Sequence, residues 1–141
     1  MYTTEIRSQE QAICHLFFHC CLKDGTFSDD ELTEVSSKMV DVGLYKQLDF
    51  KEEIQRYRTY SNSVINDSDY LEFLIQMITP VNNLALYSYC AELVFSDSTL
   101  SAGEESLLGR IATILDVVPE EQSVIKKLMA QRRVVKSEKI V

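Results

Sequence analysis

One phrase occurs twice in this chain of 141 residues, and the two copies stand 73 positions apart. Lys23-Asp24-Gly25-Thr26-Phe27-Ser28-Asp29-Asp30-Glu31 returns as Ser96-Asp97-Ser98-Thr99-Leu100-Ser101-Ala102-Gly103-Glu104. In both, Asp precedes Thr, an apolar residue and Ser, and a Glu lies seven positions beyond the Asp. Ser and Glu three apart form a capping box: the hydroxyl accepts from the backbone N–H of the Glu, whose carboxylate accepts from that of the Ser. Each copy therefore predicts a helix start. Two equivalent starts restrict the chain to folds that can be laid out twice.

Helical periodicity fills the space between these starts. Gly totals only 4 and Pro only 2, and no segment alternates as a strand would. The expectation is an all-α fold of about seven helices in a pseudo-duplicated bundle. A first helix over about residues 5–22 is apolar nearly all round, as a central helix must be. A second begins after Ser28 and stops at Gly43. Asp49 caps a third running to about Thr59. Asn66 or Asp67 opens a fourth to Ile78, and Thr79-Pro80 opens a fifth. Ser101 starts a sixth through about Asp116. Pro119 starts a seventh, with Val124, Ile125, Leu128 and Met129 as its inner face. An offset of 73 puts Phe17 on Cys90, Cys20 on Leu93, Val35 on Leu108 and Val42 on Leu115. On length, residues 1–135 read as a single domain with pseudo-repeats at about 8–60 and 80–132, followed by a basic tail at 136–141.

Charge narrows the function. Residues 1–125 carry 8 basic and 21 acidic side chains, and residues 126–141 carry 6 and 1. An acidic body repels nucleic acid and attracts cations. The basic end suits the C-terminus of a last helix. No apolar run is long enough to span a membrane, and the start lacks the layout of a signal peptide, so the expectation is a cytoplasmic protein. Cys14, Cys20, Cys21 and Cys90 fall inside predicted helices and read as small buried hydrophobes rather than a disulfide framework.

The acidic turns hold the candidate chemistry. Asp24 and Asp97 follow the central helices, and Glu31 and Glu104 stand at helix N-termini. If the turns meet, four carboxylates can share a hard cation such as Ca²⁺ or Mg²⁺. Neither segment is an EF-hand, because Gly25 directly follows Asp24. Capping by itself accounts for the Ser and the Glu of each phrase.

Apolar helix, Asp-Gly, Ser-x-x-Glu and amphipathic helix, repeated about 70 residues later, resembles the TerB-like family, named for tellurite-resistance proteins. The resemblance covers roughly residues 8–130. It implies an all-α fold of about seven helices with internal pseudo-symmetry. It also implies a divalent-cation site at Asp24, Glu31, Asp97 and Glu104, with Asp30 and Glu105 adjacent. Family members are linked to stress responses and to membrane-associated complexes. This chain departs from the pattern at Ser98, which replaces the Gly, and at Ala102-Gly103, which makes the second turn less acidic.

Other chemistry lacks parts. His15 and His19 share a helix face, but no other His exists and the cysteines do not fall in separated pairs, so zinc is not expected. Hydrogen-bonded core histidines are. No phosphate-cradling loop or nucleophile elbow is present. Tyr45, Tyr57, Tyr60, Tyr70, Tyr87 and Tyr89 read mainly as packing residues, of a type also used at interfaces. The sequence therefore points to a non-enzymatic module that binds a divalent cation (Ca²⁺ or Mg²⁺ before Zn²⁺) and a protein partner. The alternative is an interaction module whose acidic motifs are only caps. An enzyme using the cysteines and histidines ranks below both.

Overall fold

The computed structural model describes residues 1–21, 29–43, 48–95 and 101–137, with the side chains of 29–31, 34 and 132–137 outside the description. Every element longer than a turn is helical, and no strand occurs among the described residues. The chain divides into two compact units, Met1–Val81 and Asn82–Val141.

The first unit holds α1 (Tyr2–Glu5), α2 (Gln9–Cys21), α3 (Asp29–Asp41), α4 (Phe50–Tyr60), a 3-10 turn at Ser61–Ser63, and α5 (Asp67–Ile78). Helix α2 is its centre, packed by α3, α4 and α5. That position explains its composition: Ala12, Cys14, His15, Leu16, Phe17, Phe18, Cys20 and Cys21 are all buried. Amphipathic helices surround it, α4 burying Glu53, Ile54, Tyr57 and Tyr60, and α5 burying Tyr70, Leu71, Leu74, Ile75 and Ile78. A fully buried Phe or Leu contributes roughly 1.5–3 kcal/mol, so this layer supplies the drive for folding.

The second unit holds α6 (Asn83–Val94), α7 (Ala102–Leu115) and α8 (Pro119–Ser137), with α6 packed by α7 and α8. Leu108, Ile111, Ala112 and Leu115 form the buried stripe of α7. Its capping box closes as the sequence requires, and Asp116 ends it in the left-handed conformation.

Three expectations need correction. The first helix is interrupted, because Ile6 is extended and only 1% exposed, and the chain restarts at α2. Ser8 caps that restart by accepting from Gln11 N at 3.1 Å, while the Gln11 side chain accepts from Arg7 N at 2.9 Å. Thr79-Pro80 does not open the fifth helix: Thr79 terminates α5 at φ 44°, ψ 65°. Asn82 caps α6 instead, accepting from Ala85 N at 2.9 Å. The inner face of α8 is also narrower than expected. Ile125 is buried, but Val124 and Leu128 are 57% and 50% exposed, on a helix that packs against α6.

Candidate functional site

The densest set of interacting polar groups among the described residues lies inside the first unit. His15 and His19 are one turn apart on α2, so their imidazoles leave the same face. On α4, Glu53, Tyr57 and Tyr60 share the inward stripe at i, i+4 and i+7; α5 presents Asp67 and Tyr70 at i and i+3.

Each imidazole is clamped between a carboxylate and a tyrosine. His15 Nε2 lies 2.8 Å from Glu53 Oε1, and its Nδ1 lies 2.6 Å from the Tyr60 hydroxyl. The Tyr60 hydroxyl meets that of Tyr70 at 2.6 Å. One turn along, His19 Nε2 is 2.8 Å from Asp67 Oδ1 and its Nδ1 is 3.0 Å from the Tyr57 hydroxyl. The two clamps differ in wetness. His15 is fully buried, whereas the His19 and Asp67 side chains are 16% and 30% exposed.

A second layer steadies the inner clamp. Gln11 Nε2 donates to Glu53 at 3.2 Å, and Arg56 Nε lies 3.8 Å from Glu53 Oε2. Arg56 also bonds Glu52 at 2.6 Å and Glu5 at 3.3 Å, which joins α1 to α4. Tyr2 of α1 sets its ring edge-on to Tyr70, with centroids 4.9 Å apart.

Burial alone would raise the Glu53 carboxyl, but hydrogen bonds from His15 and Gln11 and the electrostatic attraction of His15 and Arg56 reverse this and hold it below its ordinary value. Burial pushes the phenols of Tyr57, Tyr60 and Tyr70 far up, so they remain neutral donors. Burial, with Glu53 beside it, does the same to the Cys14 thiol, away from any reactive thiolate. In the second unit burial raises Tyr87 to about 12, and its buried hydroxyl has no hydrogen-bond partner among the described residues.

The four acidic positions singled out from sequence are only partly described. Asp24 and Asp97 lie outside the described residues. Glu31 is the third residue of α3, its side chain outside the description. Glu104 is the third residue of α7, where its Oε1 accepts from Ser101 N at 2.9 Å and so serves the cap. Neighbouring Glu105 is exposed on an open groove of about 340 Å³ lined also by Phe95, Ser123, Lys126, Lys127 and Ala130. Among the described residues no three His, Cys, Asp or Glu side chains are placed to hold one metal ion.

Sequence reasoning recognised the histidines as hydrogen-bonded core residues but missed their partners. The available signal was Glu53, a carboxylate in register with Tyr57 and Tyr60 on the apolar stripe of α4. No protein-family model matches the chain, and no curated protein or solved structure does so either.

Proposed function

We propose that this chain is a non-enzymatic, duplicated helical module of the TerB-like kind that works by binding. Its ligand would be a divalent cation at Asp24, Glu31, Asp97 and Glu104, and its role that of a cytoplasmic scaffold or stress-response component for a protein partner. The observation that carries this reading is positional. Cys21 ends α2 and Val94 ends α6, 73 residues on; Asp29 opens α3 and Ala102 opens α7, again 73 residues on. Glu31 and Glu104 are consequently the third residues of equivalent helices, where a carboxylate suits the N-terminal dipole.

Binding rather than turnover is favoured by how the core spends its chemistry. Both imidazoles have both nitrogens engaged, and all four cysteines are buried. The acidic composition disfavours nucleic acid as partner. No helix among the described residues is long and apolar enough to cross a membrane.

Calorimetric titration with Ca²⁺, Mg²⁺, Mn²⁺ and Zn²⁺ tests the cation. Saturable heat and a thermal shift are expected, both lost in Asp24→Asn/Asp97→Asn. No heat and no shift at millimolar metal sinks the cation and leaves the acidic motifs as caps.

A further inference from the structure

The hydrogens of the inner clamp can be ordered by counting donors. Glu53 is ionised, so His15 Nε2–H donates to it. A neutral His15 then offers Nδ1 as an acceptor. The Tyr60 hydroxyl donates to Nδ1 and the Tyr70 hydroxyl donates to Tyr60, all at 2.6–2.8 Å. Every hydrogen in the chain has an acceptor. One direction satisfies it.

A second proton on His15 breaks this order. Nδ1–H must donate to Tyr60, the Tyr60 hydroxyl must turn to Tyr70, and the Tyr70 hydrogen needs a new acceptor. Tyr70 is fully buried, and among the described residues Tyr60 is the one hydrogen-bond partner of its hydroxyl. Leaving Tyr60 unturned only moves the stranded hydrogen one residue back. Either way, protonation leaves a buried O–H without a partner and places an imidazolium in a fully buried position.

We propose that the His15–Tyr60–Tyr70 chain is an acid-sensitive clasp, holding α4 and α5 to α2 while His15 is neutral and releasing them when His15 takes up a second proton. The clasp spans three helices, so the stranded hydrogen is relieved only by parting them.

Titratable and charged groups flank His15 on α4, α5, α1 and α2. Glu53 draws a proton toward His15, and the same carboxylate accepts from Gln11 and lies beside Arg56, which Glu5 and Glu52 hold in place. From α4, Tyr57 and Tyr60 face the ring as neutral phenols. Tyr70 and Asp67 belong to α5, the latter bonded to His19. Tyr2 of α1 packs on Tyr60 and Tyr70. On α2 itself stand the thiol of Cys14 and the imidazole of His19. Among the described residues α3 gives His15 no hydrogen bond and no ring contact.

The test uses the ¹⁵N-labelled full chain between pH 7.5 and 5.5, above the carboxylate range. At pH 7.5 His15 should show a protonated Nε2 and a bare Nδ1. Amide protection in α4 and α5, corrected for intrinsic exchange, should fall with pH in step with the second proton on His15. His15→Gln should abolish that slope and His19→Gln should keep it. The clasp is overturned if His15 gains its second proton with α4 and α5 protection unchanged, or if the slope survives in His15→Gln or vanishes in His19→Gln. Should His15→Gln not fold, the imidazole and amide signals of the wild type along one titration decide alone.

Discussion

Glu53 is 4% exposed, on a helix stripe that is otherwise isoleucine and tyrosine. A carboxylate tolerates that setting only when donors surround it, and His15, Gln11 and Arg56 do so. Glu53→Ala strands the His15 Nε2–H and the Arg56 charge, and should lower stability by about 3 kcal/mol in urea unfolding. Glu53→Gln keeps the shape but sets its amide N–H₂ against the donors of Gln11 or Arg56, and should cost about 1–3 kcal/mol. The pH dependence follows from the sign of the shift. The folded-state value lies below the ordinary 4.5, so this stabilisation is complete above about pH 4.5 and disappears as pH falls through the depressed value. Circular dichroism from pH 5 to pH 2 should show an acid limb that flattens in Glu53→Gln. Local pattern reveals that residue 53 faces inward. It cannot reveal the partner, because His15 lies 38 positions away and such a pairing leaves no trace in helical periodicity.

At the level of elements, the sequence specified helix starts wherever a side chain can accept from the backbone. Asp49 accepts from Glu52 N, Asn66 from Asp69 N, and Ser101 from Glu104 N, each at the expected position. The failures share one cause, two signals standing close together. Ser8-x-x-Gln11 is a capping phrase just ahead of the apolar run from Ala12, inside a span that reads as one continuous helix. Thr79-Pro80 resembles a helix start, yet a residue before proline is driven out of the right-handed helical region, and here that ends α5. Asn82, two residues past the proline, takes over as cap. Asn82→Ala should therefore cost about 1 kcal/mol in thermal or urea unfolding. Thr79→Gly should cost nothing, because glycine relieves a β-branched residue at positive φ. The reverse ranking would restore Thr79 as the cap of α6.

For the molecule as a whole, charge is the property most fully legible in the sequence, and it bears on the proposed cation. The first unit carries 7 basic and 14 acidic side chains, the second 7 and 8, so nearly all of the net −8 resides in the first. Self-repulsion of that size is relieved by any salt as the screening length falls from about 30 Å at 10 mM to about 8 Å at 150 mM. Raising NaCl over this range should raise the melting temperature by a few degrees without any site being filled, since about 1 kcal/mol moves a domain of this size by roughly 4 °C. A divalent ion screens as well, so a thermal shift with CaCl₂ or MgCl₂ alone says nothing about coordination. At matched ionic strength the two explanations separate. A site predicts an additional, saturating rise with the divalent salt that Asp24→Asn/Asp97→Asn removes, leaving the divalent curve on the NaCl curve. Screening alone predicts equal curves for both salts in the wild type and in the double variant alike.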